Sequence, residues 1–364
     1  MRILVCPPDH FDVDYVINPW MEGQVGRVDF ARARAQWDAL FEDVAQVAEL
    51  EIVAPRSGSP DMCFTANAAL VEGRRALPAR FRLPERADEE PHFSDWLASA
   101  GFEIEGLAGP CAFEGEGDAL FQPGEGLIWA GYGVRTALET HRDLSRVFEV
   151  EVVSLRLVDQ RFYHLDTCFA PLPDGRLLYY PAAFDERSRL AIASRIPADR
   201  RIAVCERDAM NFACNALVVE DRIFLNAASD ALRSELGRWG FEVRIHPVDE
   251  FLKAGGGVKC LSLQLEQMRF ERTAAAVDSP IRSAQITLCG HLLDAGLLRR
   301  ALDLVTDASG SFRIDELDLA ERKDQPSRVS VHVVAPDAKL LDGIVEGLVD
   351  IGAERWSVDR PPVS

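Results

Sequence analysis

The chain has 364 residues, 48% hydrophobic and 27% charged, enough apolar material for one large and one small globular domain without a metal or disulfide staple. A net charge of −19 argues against a nucleic-acid partner, because phosphate binding needs basic patches, and leaves a cationic small molecule admissible. Eight cysteines without a CxxC pair, an N-terminus (MRILVCPPDHF) lacking a signal-peptide core, and no run of about 18 apolar residues exclude the usual zinc, secretory and membrane patterns, so a reducing cytoplasm is expected.

From Arg27 to Leu50, Trp37, Leu40, Phe41, Val44 and Val47 share one face at helical spacing, and the strand Glu51–Ala54 follows. One pattern then returns: a short polar signature, an apolar strand, a turn, a second apolar strand and a helix. It begins at Ala66-Asn67-Ala68, Gly117-Asp118-Ala119, Thr167-Cys168-Phe169, Cys214-Asn215-Ala216 and Lys259-Cys260-Leu261. The markers Asn67, Asp118, Cys168, Asn215 and Cys260 stand 51, 50, 47 and 45 residues apart, the period of repeated supersecondary units. Pro173-Asp174-Gly175 reads as one of the hairpin turns.

Five ββαβ-like units about a pseudo-fivefold axis would aim the first residue of every hairpin at a central pocket. That closure requires the chain before Asn67, which includes Asn18 in Ile17-Asn18-Pro19-Trp20, to complete the ring with the strand after Cys260. Spacing alone leaves a generic α/β domain as the alternative. Beyond Ile281, strands are expected at Ser283–Leu288, Phe312–Leu319 and Arg328–Val334, with a helix from an Asp294 cap through Leu304 and another over Ala338–Ile351. The expected organisation is an α/β propeller over 1–275, a small α+β sandwich over 281–355 in βαββα order, and a loose tail over 356–364.

Polar signatures sit where hairpins begin: Pro60-Asp61-Met62-Cys63-Phe64-Thr65-Ala66-Asn67, Phe113-Glu114-Gly115-Glu116-Gly117-Asp118, Phe162-Tyr163-His164-Leu165-Asp166-Thr167, and Gly255-Gly256-Gly257-Val258-Lys259-Cys260. Taken singly, each has a bland reading. A free cysteine is commonly a packing residue, a lone histidine structural, and a triple glycine a flexible connection. Asp61 suits a turn cap as well as a substrate contact, and Arg86 lies in the charged stretch Arg82–Glu90, where a solvated side chain is the alternative. Asn215 either lines the pocket or closes the ring. Glu114 is read as facing substrate and Asp118 as supporting the backbone, while His10 and His291 stay open beside His164.

Together the set resembles the guanidine-modifying superfamily of arginine deiminases, dimethylarginine dimethylaminohydrolases, amidinotransferases and arginine dihydrolases, in motif order over the first three quarters of the chain. Leu288-Cys289-Gly290-His291-Leu292-Leu293-Asp294 resembles the connecting domain of bifunctional arginine dihydrolase/ornithine cyclodeaminase proteins. In those a dinucleotide-binding domain follows; no GxGxxG occurs here, so neither cofactor nor cyclodeaminase activity is expected. The resemblance implies Cys260 as nucleophile, His164 as acid/base, Glu114 and Asp166 as carboxylates holding a guanidinium, and Arg86 and Arg135 as grips for a substrate α-carboxylate.

The residue chemistry agrees. A soft thiolate suits attack on a delocalised guanidinium, carboxylates select the planar cation, and histidine exchanges protons near neutral pH. Asn67 stands where deiminases and dimethylarginine hydrolases carry an acid, and with Asn18 it resembles the dihydrolase pattern. An amide can bond a neutral ureido group, whereas a carboxylate favours a cation. The expectation is therefore an arginine dihydrolase yielding ornithine, CO2 and two ammonia. A citrulline-forming deiminase or dimethylarginine hydrolase is the same-class alternative, and an arginine-binding regulator the alternative of another class. A homo-oligomer is left open.

Overall fold

The computed structural model describes residues 1–267, 280–290, 292, 296–319 and 327–358. It divides into two units, Met1–Val277 and Asp278–Ser364.

The first unit opens with β1 (Arg2–Val5), α1 (Phe30–Val44) and β2 (Glu49–Ile52). Four similar blocks follow: β3 (Ala69–Glu72), β4 (Arg75–Pro78), α2 (Glu90–Ser99) and β5 (Glu103–Ile104); then β6 (Ala119–Phe121), β7 (Leu127–Tyr132), α3 (His141–Phe148) and β8 (Glu151–Arg156). The third is β9 (Phe169–Leu172), β10 (Arg176–Tyr179), α4 (Glu186–Arg195) and β11 (Arg201–Ala203). After a short α5 (Glu206–Ala209) comes the fourth: β12 (Leu217–Val219), β13 (Arg222–Leu225), α6 (Asp230–Arg238) and β14 (Glu242–Ile245). A short α7 (Asp249–Leu252) and β15 (Leu263–Gln264) end the series.

Each block makes one three-stranded sheet: an antiparallel hairpin whose second strand gains a parallel third through a helical crossover. The middle strands are buried on both faces, and all six residues of β7 are buried, which is why Leu-Ile-Trp-Ala-Gly-Tyr reads as a continuous apolar run. A fifth sheet, β15-β1-β2, is assembled from the two ends of the unit. Leu4 pairs antiparallel with Leu263, and β1 runs parallel to β2.

Helix α1 starts at Phe30, later than Arg27, because the Asp29 side chain accepts the Arg32 amide and caps it. It ends at Val44, short of Leu50, because Glu49 already belongs to β2; that strand covers Glu49–Ile52, not 51–54. Trp37, Leu40, Phe41 and Val44 are buried as the pattern requires.

The second unit consists of β16 (Arg282–Gly290), α8 (Leu297–Asp307), β17 (Ser311–Asp318), β18 (Ser327–Ala335), α9 (Ala338–Asp350) and β19 (Ala353–Val358). Its sheet order is β17-β18-β16-β19, with Leu341, Ile344, Val345 and Leu348 of α9 in one core with Ile286, Leu288, Val331 and Val333. Two expectations are corrected. The order is βαββαβ, and residues 356–358 belong to β19 instead of a loose tail, because β16 would otherwise present an unpaired edge. Asp294, His291 and residues 359–364 lie outside the described residues. No described helix is long and apolar enough to cross a membrane.

Candidate active site

The turns that precede the hairpins carry the polar signatures, and they converge. Glu114 and His164 lead into short 3-10 turns, at Gly115–Gly117 and Leu165–Thr167, before β6 and β9. The His164 Nε2 sits 2.6 Å from Glu114 Oε2, and both side chains are buried. Since a carboxylate only accepts, Nε2 donates its proton there, and Nδ1 keeps its lone pair in the neutral ring. The Asn67 amide faces that Nδ1 at 3.5 Å. Gly117 makes room for the contact: a Cβ there would strike Asn67 Nδ2 and approach the imidazole to 3.3 Å.

Glu114 also accepts Arg135 Nη1 at 3.2 Å and the Arg82 amide at 3.1 Å. Burial alone would raise its carboxyl, but the hydrogen bond from His164, with the charges of His164, Arg135 and Arg86, outweighs burial and brings it down to about 2. Behind the imidazole stands a carboxylate whose ionised form its neighbours favour.

Cys260 follows the Gly255-Gly256-Gly257 loop. The glycines are not a slack connection: a Cβ on Gly257 would lie 2.7 Å from Asn215 Oδ1, and one on Gly256 would enter the Phe64 ring. Asn215 holds the Cys260 loop by accepting the amides of Lys259 and Cys260 at 2.8 and 3.1 Å and donating to the Cys260 Sγ at 3.1 Å. On its other side the thiol meets Asp166 Oδ2 at 3.3 Å. Burial, then the Asp166 charge, push the thiol well above its ordinary range. Burial likewise drives the Asp166 carboxyl up to about 7 despite the nearby Lys259.

A narrow hollow in front of Cys260 is lined by Asn18, Asp61, Asn67, Arg86 and Arg135, among others. Arg135 stacks over Tyr163 and donates to the Ile17 carbonyl at 2.9 Å. Arg86 is not solvated, as its charged neighbourhood allowed. It is buried, paired through Nε and Nη2 with Glu89 at 2.9 and 2.7 Å, and donates to Asn67 Oδ1 at 2.7 Å. Asn67 is thus strung between Arg86 and His164. Asn18 caps the Pro19–Met21 turn by accepting the Trp20 amide and donates to the Ala254 carbonyl, so part of its amide is committed to structure. A second, larger cavity of about 340 Å³ is walled mainly by apolar residues and is reached by Asp166 and Lys259, but the thiol does not line it.

Of the eight residues expected at the site, Asn18, Asn67, Arg86, Arg135 and Cys260 line the hollow, and Glu114, His164 and Asp166 adjoin it through Arg135, Asn67 and Cys260. Sequence reasoning left Asp61 undecided and missed Glu89, Tyr15 and Lys259. Asp61 is buried and accepts Tyr15 at 2.9 Å through Oδ2, while its Oδ1, like Asp166 Oδ1, has no hydrogen-bond partner among the described residues. Lys259 is buried against Glu116 at 2.6 Å. The described residues contain no cluster of three or more His, Cys, Asp or Glu able to hold a metal.

This architecture recurs in known proteins. The bifunctional arginine dihydrolase/ornithine cyclodeaminase ArgZ of Synechocystis is 48% identical over 97% of the chain, which matches 50% of ArgZ. The N(G),N(G)-dimethylarginine dimethylaminohydrolase of Mycobacterium tuberculosis is 38% identical over 72% of the chain and 85% of its own length. The chain belongs to the guanidino-modifying superfamily. Within it, the N-terminal domain of ArgZ, solved as a cysteine-to-serine variant bound to substrate, superposes with a TM-score of 0.72 at 51% identity, covering 73% of this chain and 98% of that domain. The same domain has been solved as an asparagine-to-serine variant covalently bonded to a reaction intermediate. Residues 283–361 match the family described as the LOR/SDH bifunctional enzyme conserved region. The chain spans about half the length of the bifunctional relatives it matches.

Proposed function

We propose that the first unit is an arginine dihydrolase, converting L-arginine and two waters to ornithine, CO2 and two ammonia. The observation that carries this is that two acids of the site each keep one buried carboxylate oxygen without a partner among the described residues: Asp166 Oδ1, on the carboxyl whose Oδ2 meets the thiol, and Asp61 Oδ1, on the residue whose backbone carbonyl accepts Arg86. Buried polar atoms without partners mark places that a ligand satisfies. Arginine brings two cations and one anion: its guanidinium suits Asp166, its α-ammonium Asp61, and its carboxylate Arg86 and Arg135.

The resting thiol stays protonated because burial and Asp166 disfavour the thiolate. A guanidinium seated against Asp166 offsets that charge, so the nucleophile ionises where its electrophile is present. Cys260 Sγ then bonds to the guanidino carbon, His164 Nδ1 protonates the departing nitrogen, and ammonia leaves. The imidazole next takes a proton from water, whose oxygen attacks the thiouronium and breaks the C–S bond, giving citrulline. Glu114 stabilises the imidazolium at each stage. Asn67, neutral and anchored by Arg86, keeps the ureido group bound for a second attack by Cys260. The second ammonia leaves, and hydrolysis of the thiocarbamate gives a carbamate that decays to CO2 and ornithine. The substrate and intermediate complexes of the ArgZ domain support this reading.

The five sheets are further inferred to surround one pseudo-fivefold axis as a propeller over 1–275. Links between successive blocks support it: Arg80 bridges Phe113, the Leu165 amide bonds Asp118, Asn215 bonds the Asp166 carbonyl, Lys259 bonds Asn215, and the Ala66 amide returns to the Cys260 carbonyl. The matched family region supports reading 281–355 as a separate domain of the connecting type. Free buried thiols at Cys6, Cys63, Cys168, Cys214 and Cys260 support a reducing cytoplasm.

The decisive assay incubates the chain with L-arginine and identifies products. Ornithine with two ammonia supports the dihydrolase, citrulline with one ammonia replaces it with a deiminase, and absence of turnover leaves a binding protein.

A further inference from the structure

Among the buried acids that the mechanism above leaves unused, Asp118 lies next to the site. Asp118 directly precedes β6, is 1% exposed, and burial brings its carboxyl up to about 6. Its two oxygens accept two backbone amides: Oδ1 takes Leu165 at 3.0 Å and Oδ2 takes Thr136 at 3.2 Å. Each amide belongs to the residue directly after a side chain of the site, His164 in one case and Arg135 in the other. Gly131 is shaped around this acid, for a Cβ there would stand 3.1 Å from Asp118 Oδ1 and 2.9 Å from Leu165 Cβ. Thr136 then reaches back, its Oγ1 accepting the Glu114 amide at 3.0 Å.

The contacts close on themselves. From Asp118 they run to Thr136, from Thr136 to the Glu114 backbone, from the Glu114 carboxylate to His164, and from the residue after His164 back to Asp118. We propose that Asp118 and Thr136 form a positioning clamp that fixes the Glu114–His164 hydrogen bond and so sets the efficiency of proton transfer. Neither residue lines the substrate hollow; both act through the pair they hold. The inference rests on the roles proposed above for Glu114 and His164. A charged acceptor suits the position, because one carboxylate serves two amides, whereas an asparagine offers a single oxygen and turns an N–H toward the other donor.

The test compares Thr136→Val, Thr136→Ser, Asp118→Asn and the Asp118→Asn/Thr136→Val double variant in the full chain. Ammonia release gives kcat and KM, and amide hydrogen exchange at Glu114 is followed by NMR. Valine keeps the Thr136 N–H and removes only the oxygen. It should lower kcat about tenfold with KM within about twofold, and Thr136→Ser should restore kcat. Asp118→Asn should cost about a hundredfold, and the double variant less than the product of the two losses. Glu114 amide protection should fall in Thr136→Val and return in Thr136→Ser. Thr136→Val with parental kcat and parental protection, or losses that simply multiply, would overturn the clamp. The unaltered chain discriminates between the two ideas: no ammonia from it sinks the dihydrolase reading, while the exchange data still decide the clamp.

Discussion

Replacing Asp166 by asparagine should stabilise the first unit and abolish its turnover. In the folded chain burial moves this carboxyl from 3.8 to about 7. At roughly 1.4 kcal/mol per tenfold change in proton affinity, holding it ionised in the fold costs about 4 kcal/mol. Because the folded value is raised, the fold retains a proton that the unfolded chain has released between pH 3.8 and 7, so stability is lost as pH climbs through that window and the full cost applies above it. An amide carries no charge at any of these pH values. The variant's advantage should therefore be near zero at pH 4 and grow to a few kcal/mol at pH 8, less about 1–2 kcal/mol for an amide N–H without an acceptor. Urea unfolding at pH 5, 6, 7 and 8, followed by tryptophan fluorescence, measures it. Five of the six tryptophans lie in the first unit, so the signal reports on the correct transition. A stability difference that is flat with pH would refute the reasoning. Turnover should vanish because the guanidinium loses its charged partner, the usual exchange of stability for a functional strain.

Other outcomes follow from the same geometry. Cys260→Ser should lose at least about a thousandfold in kcat, since a hydroxyl is the weaker nucleophile; retained turnover would remove the covalent mechanism. In the free chain, Cys260 should be alkylated slowly at pH 7 and faster only above pH 9, with exposed Cys205 and Cys289 as internal references in the mass spectrum. Asn67→Asp should shift output from ornithine toward citrulline, because the new carboxylate strengthens the link to Arg86 but no longer donates to His164 Nδ1; an unchanged product ratio would undo the role given to that amide. Glu89→Leu should destabilise the first unit by about 3–5 kcal/mol by leaving Arg86 buried with its bidentate partner removed, measurable in the same urea titrations.

The thiol, the imidazole and the acids around them were legible because their chemistry is written in short local strings such as His164-Leu165-Asp166, placed at a regular period. The surroundings were not. Glu89 sits in a charged run that looks solvent-facing, and only the folding of Pro84–Glu89 into a turn against Phe81 brings Arg86 inside. Asp61 gave equal signals for a turn and a ligand contact, since its position against Tyr15 depends on a partner 46 residues away. Asn215 was left between two readings. It ties the Asp166 carbonyl to the Cys260 loop and touches the sulfur as well, so the two readings describe one residue. The strand at residues 356–358 was hidden for a related reason: an edge recruits a neighbour through backbone groups, which leave little mark on side-chain pattern.

The sheet shared by Arg2–Val5 and Leu263–Gln264 carries a kinetic consequence. Its pairing joins residues some 260 positions apart, among the highest sequence separations the first unit contains, and such contacts are the slowest to form. The Cys260 carbonyl that accepts Ala66 lies just before that seam. During synthesis the earliest strand must wait, one edge unpaired, until the last has left the ribosome. Reactivity toward arginine should then emerge abruptly at completion of the nascent unit, with no graded activity in shorter chains.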